Sequence, residues 1–176
     1  MDFDVAGPFK LHRATSKKLI NKETLERLMG EIQESDPGLL EACGCYVFAV
    51  RASKGYTPWY VGQANKTRLV REALNFSNCV KYNNVLAEYS GTPMLFFLPQ
   101  VTKSGKSYAK PTAKIAGRVA IDFWEKWLIA TSLQKNSDLI NEKNTAFLRN
   151  LHVTGIFNPS KGESNSNSKE LGRALY

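Results

Sequence analysis

Apolar positions along this 176-residue chain change period several times, and each change marks an element. From Asn21 onward, Leu25, Leu28, Met29 and Ile32 recur at i, i+3, i+4 and i+7, which is one face of a helix. Asn21 is a suitable N-cap, and Ser35-Asp36-Pro37-Gly38 ends the helix. Ahead of it, Phe9 and Leu11 suggest a short edge strand. Two β-branched and aromatic runs follow, Gly44-Cys45-Tyr46-Val47-Phe48-Ala49-Val50 and Trp59-Tyr60-Val61-Gly62. Ser53, Gly55 and Pro58 supply the turn between them, so the pair reads as an antiparallel hairpin. Strand alternation puts Tyr46, Phe48 and Val50 on one face and Cys45, Val47 and Ala49 on the other. Such a hairpin can bring Tyr46 and Tyr60 together on one face, but the pattern leaves its register open.

Leu69, Ala73 and Leu74 predict a helix capped by Asn65 or Thr67, and a second helix is expected from about Asn83 to the break at Gly91-Thr92-Pro93. Met94-Leu95-Phe96-Phe97-Leu98 is a continuous apolar run and reads as a buried central strand, giving a sheet of at least three strands. Ala113 to Gln134 is a long helix with two apolar stripes: Ile115, Val119, Phe123 and Trp127, then Ile121, Leu128 and Ile129. Glu125 lies beside the second stripe, flanked by Ile121 and Ile129. A carboxylate there needs either a salt-bridge partner or a hard cation. Val153-Thr154-Gly155-Ile156-Phe157 suggests a last strand, Asn158 to Lys169 a polar loop, and the remainder a terminal helix.

Composition narrows the class. With 43% hydrophobic residues the chain suits one globular domain with a substantial core. A net charge of +8 points to a polyanionic partner, although a basic protein without a nucleic-acid role has the same charge. The most basic stretch, 101–118, holds Lys103, Lys106, Lys110, Lys114 and Arg118 around Tyr108, a composition able to track a phosphate backbone and stack on a base; a solvated loop is the plain alternative. Gly105-Lys106-Ser107 lacks the upstream glycine of a phosphate-binding loop. Three cysteines with no CxxC spacing, and two isolated histidines, His12 and His152, give neither a disulfide framework nor a ligand cluster. Without a long apolar run, a cytoplasmic protein that does not enter the membrane is expected.

Gly44-Cys45-Tyr46 followed by Trp59-Tyr60-Val61-Gly62 resembles the two-part signature of the GIY-YIG nucleases. The later signature elements follow in order. Arg71, with Arg68 as the alternative, stands for the family arginine. Glu125-Lys126-Trp127-Leu128-Ile129 matches its helical glutamate with the Leu-Ile that follows. Asn141 in Asp138-Leu139-Ile140-Asn141 matches its loop asparagine, with Asn144 as a second candidate. The resemblance implies an α/β (α+β) fold, a three-stranded antiparallel sheet flanked by helices. The core would span 43–145 with a basic insertion near 101–118, an N-terminal extension at 1–42 and a C-terminal extension at 146–176. It further implies a phosphodiester-cleaving endonuclease. Glu125 would hold Mg²⁺ or Mn²⁺, Arg71 would stabilise charge on the phosphate, and Tyr46 would orient or deprotonate water beside Tyr60. Asn141 would brace the site. The basic loop (Lys103, Lys106, Tyr108, Lys110, Lys114) and Arg68 would bind nucleic acid, with DNA favoured over RNA. Asn75 stands where many members carry a histidine. That departure supports the alternative, a nucleic-acid-binding module in which catalysis is weak or lost.

Overall fold

A computed structural model describes residues 1–16, 18–53, 55–112, 115–142, 145–151 and 164–175, with the side chains of 115–117 and 175 set aside. The sheet is antiparallel, ordered β1-β4-β2-β3: β1 is Ala6–Lys10, β2 Gly44–Ala52, β3 Gly55–Ala64 and β4 Thr92–Pro99. It therefore has four strands among the described residues rather than three. The strand suggested by Phe9 forms, and it pairs with β4 through Phe9↔Leu95. β2 and β4 are central and β3 is an edge.

Helices cover both faces. On one face Tyr46, Phe48, Val50, Leu95 and Phe97 pack with α1 (Lys22–Ser35), α2 (Leu69–Ala73) and α3 (Phe76–Glu88) around buried Leu28, Ile32 and Tyr82. α1 begins at Asn21, where a capping box with Thr24 satisfies the first-turn amides. On the other face Val47 and Val61 meet Ile129, Leu133 and Leu139, while Cys43 and Cys45 meet Ile121. These isoleucines and Leu133 belong to α4 (Ile115–Lys135), so the second apolar stripe is the buried one. In the first stripe Val119, Phe123 and Trp127 face outward: Val119 and Phe123 are each 61% exposed and Trp127 49%. Two short helices follow among the described residues, α5 (Thr145–Asn150) and α6 (Ser166–Leu175); a terminal helix was expected, but it begins at Ser166, inside the stretch expected to be loop as far as Lys169.

Three sequence expectations change. α3 starts at Phe76, not near Asn83, because the Asn75 side chain accepts from the Asn78 amide, 2.8 Å, and opens the helix earlier. α2 begins after Arg68 without a side-chain cap, so neither Asn65 nor Thr67 fills that place. The expected strand at Val153 to Phe157 lies outside the described residues.

The core buries three thiols and two phenols, Tyr46 and Tyr82. Burial pushes the Cys79 thiol up to about 11, and it raises Cys43, Cys45, Tyr46 and Tyr82 as well. In the unfolded chain these groups ionise from about 8.5 (thiols) to about 10 (phenols). Their folded values are higher, so the unfolded chain loses its protons first. The stability they contribute is whole below about pH 8.5 and is lost as pH climbs through the folded values. The urea midpoint is expected to fall steadily between about pH 8 and pH 11, and less steeply in Cys79→Ala. A level midpoint across that range would contradict the burial of these groups.

Candidate active site

The register of the hairpin places Tyr46 opposite Gly62 and Phe48 opposite Tyr60, so both tyrosines lie on the α1–α3 face. Their ring centroids are 6.2 Å apart. A side chain at Gly62 would strike the Tyr46 ring and hydroxyl. Glycine is thus what lets the Tyr46 phenol lie across β3. At the start of β2, Gly44 has φ +155°, and a Cβ there would strike the Leu98 carbonyl. Each glycine of the two-part signature therefore has a steric reason in this chain.

The Tyr46 hydroxyl accepts from Asn78 Nδ2 at 2.8 Å, and the same amide donates to the Glu72 carbonyl at 2.8 Å. Burial, with Tyr60 and Glu72 nearby, raises the Tyr46 pKa well above that of an ordinary phenol, and the Asn78 hydrogen bond offsets only part of this. Tyr46 therefore stays protonated at neutral pH. The Tyr60 hydroxyl accepts from Lys81 Nζ at 3.3 Å, and the ammonium stands 4.4 Å from the ring centroid.

Glu125 comes from the opposite face. Gln63, cross-strand from Cys45 and so on the α4 side, donates Nε2 to Glu125 Oε2 at 2.9 Å. Asn65 Nδ2 braces Gln63 Oε1 at 3.2 Å. Asn141 runs along the β3 edge like an added strand: Val61 N–H donates to its Oδ1 at 2.9 Å, and its Nδ2 donates to the Val61 carbonyl at 2.7 Å. The two sides meet around the edge of β3 in one pocket of about 320 Å³, lined by Tyr46, Tyr60, Gly62, Gln63, Glu72, Lys81, Glu125, Ile129, Asn141 and Glu142. Four of the five residues singled out from sequence thus share one cavity.

Arg71 is not among them. It lines an apolar groove with Leu25, Met29, Leu40 and Leu74 on the far side of α2, together with Arg68, whose guanidinium pairs with Glu41 at 3.1 Å. The pocket's cation is Lys81 instead. Sequence reading passed over it because α3 was placed too far along the chain, although Asn75 three residues before Asn78 is a readable cap. Gln63, Glu72, Asn78 and Glu142 were also passed over, since nothing in their spacing marks them.

The basic loop is held differently from the expectation. Tyr108 donates to Asp36 Oδ2 at 2.9 Å and packs beside Gly38. Burial and the Asp36 carboxylate raise its pKa to about 12. Its ring anchors the loop to the end of α1 and lines a cavity with Lys106 and Ser107. Lys103, Lys106 and Lys110 are exposed, and Lys114 lies outside the described residues.

Asn75, besides capping α3, donates Nδ2 to Glu72 Oε1 at 3.3 Å. It does not line the pocket. Asn75→Ala is expected to cost about 1 kcal/mol of stability in urea unfolding, the usual worth of an N-cap, and to slow any reaction at the pocket only modestly, through loss of its hold on Glu72. A collapse of activity at unchanged stability would show that Asn75 does more than cap.

The pocket offers carboxylate and amide oxygens with no thiol or imidazole, a donor set that fits hard Mg²⁺ or Mn²⁺. Among the described residues no cluster of three or more His, Cys, Asp or Glu is arranged to cage a metal. Such an ion would be held by Glu125 and water, as Mg²⁺ often is. No helix among the described residues is long and apolar enough to cross a membrane. No protein-family model, curated protein or solved structure matches the chain.

Proposed function

We propose that the chain is a metal-dependent endonuclease of the GIY-YIG type, hydrolysing phosphodiester bonds in nucleic acid, with DNA favoured over RNA. The observation that carries this reading is the convergence of Tyr46, Tyr60, Glu125 and Asn141, from two strands, a helix and a loop, on one pocket. A divalent ion on Glu125 would supply Lewis-acid stabilisation of the leaving oxygen. Lys81 offers positive charge to the phosphate in the place expected for Arg71. Tyr46, held by Asn78, donates its hydroxyl proton to orient a water or a phosphate oxygen. A phenol with a raised pKa is a poor base, so this role replaces deprotonation. Glu72 and Glu142 are then the pocket groups suited to take the proton. Asn141 fixes the β3 edge against which the others are positioned.

Supercoiled plasmid incubated with the protein is expected to be nicked in Mg²⁺ or Mn²⁺ and untouched in EDTA. Intact plasmid under every cation, with RNA also uncut, would contradict the reading. The second reading, a binding module without catalysis, draws on the placement of Arg71 outside the pocket. It predicts salt-sensitive retention of DNA that Glu125→Gln leaves unchanged.

A further inference from the structure

A second cavity, of about 380 Å³, adjoins the first and shares Lys81 and Glu142 with it. Its size is that of a small-molecule site. We propose that it receives one unpaired nucleobase bearing an exocyclic amino group, the base of the nucleotide next to the phosphate at Lys81. This inference rests on the nuclease reading for the phosphate's position, while the base preference rests on the cavity's own walls.

Those walls carry the parts a base requires. One is aromatic. The bulge in β3 between the Phe48 and Ala49 pairings leaves Trp59 unpaired and turns it toward Tyr89, ring centroids 4.1 Å apart at 40°. Trp59 is buried, whereas Tyr89 is 40% exposed, so part of a phenol ring supported from behind is open to stacking. A second wall is one face of α3, with Lys81, Asn84, Val85 and Glu88 at i, i+3, i+4 and i+7. The third is the loop carrying Asp138. It is fastened to β3 by Asn136 Nδ2 to the Pro58 carbonyl, 2.8 Å, and by the Ile140 amide to the Trp59 carbonyl, 2.9 Å. The cavity is therefore held open by hydrogen bonds between its own walls.

The polar rim decides which base fits. Glu88 and Asp138 are exposed carboxylates facing the cavity, and at neutral pH a carboxylate only accepts hydrogen bonds. Adenine N6, cytosine N4 and guanine N2 each offer an amino donor. Thymine carries a carbonyl oxygen in its place and keeps only the ring N3–H as a donor, flanked by two carbonyl oxygens that face the carboxylates unfavourably. Lys81, between the two cavities, can neutralise the phosphate that links such a nucleotide to the cleavage pocket.

The test titrates the four deoxynucleoside monophosphates into the protein and follows the Trp59 indole and Asn84 side-chain amide signals by NMR. dAMP, dCMP and dGMP are expected to shift both signals and to bind at least about tenfold more tightly than dTMP. Glu88→Gln and Asp138→Asn, surface changes that leave the fold intact, should each narrow that gap. Tyr89→Leu should weaken all four nucleotides together. Equal binding of dTMP, a gap that survives both carboxylate changes, or shifts confined to other parts of the chain would overturn the inference. Mapping of plasmid nick sites separates the two readings. Cleavage without nucleotide shifts and without base bias removes the base pocket and keeps the nuclease. Selective shifts without cleavage keep the base pocket and remove the nuclease.

Discussion

Gly62→Ala is expected to abolish nicking and to destabilise the fold by about 2–3 kcal/mol, the upper part of the usual range for overpacking. The added methyl would meet Tyr46 Cε1 at 2.8 Å and collide with the ring carbon and hydroxyl beyond it. Relief has few routes. Tyr46 is 1% exposed, and its hydroxyl is tied to Asn78, which is itself tied to the Glu72 carbonyl. β3 cannot retreat freely, because Asn141 holds it at Val61. The Tyr46 hydroxyl must leave the pocket or the edge strand must move, and a displacement of about 1 Å at a reacting centre costs on the order of a hundredfold in rate. Urea unfolding and plasmid nicking measured together check both effects. A variant with wild-type stability and activity would show that the phenol does not lie across Gly62.

Asn141→Ala is expected to cost about 2–4 kcal/mol, more than an ordinary lost hydrogen bond. Val61 is fully buried, and both its N–H and its carbonyl depend on the Asn141 amide. Removing that amide strands two backbone groups, each at about 1–3 kcal/mol. The loop that carries Asp138 and Ile140 would lose one of its fastenings to β3, so nicking should fall with stability. Hydrogen exchange locates the damage: the Val61 amide should lose its protection while those of the central strand β2 keep theirs. Unchanged protection at Val61 would contradict the edge role of Asn141.

The hairpin and α1 were legible because each follows one pattern and ends on turn residues, and β4 because it is an unbroken apolar run bounded by prolines. α1 even shows its cap, Asn21. The pairing of Tyr46 with Gly62 was not legible, since register depends on where the bulge at Trp59 falls, and a bulge leaves no periodic mark. Four residues of the pocket were named through the resemblance to the GIY-YIG signature; strand alternation and helical phase bear on Tyr46, Tyr60 and Glu125, and nothing in the pattern marks Asn141. Arg71 was mislocated. α2 is only five residues long, so its phase is set by packing against the Pro37–Glu41 turn and not by its own pattern. Lys81 went unseen because helix phase means little until the helix start is known. The basic loop gave a correct count of charges but no hint that Tyr108 would bind Asp36, a contact between residues 72 positions apart in sequence.

Cleavage at this pocket requires Glu125, carried by a helix on one face of the sheet, to act with two tyrosines on the other around the edge of β3. The most direct measurement compares Mg²⁺-dependent nicking by wild-type protein and Glu125→Gln, with unfolding midpoints taken on the same preparations. Glutamine keeps the shape of the side chain and removes the charge that would hold a cation. The prediction is an unchanged midpoint and nicking reduced by at least about a hundredfold, as expected when a group that stabilises transition-state charge is lost. Equal nicking by the two proteins would contradict it.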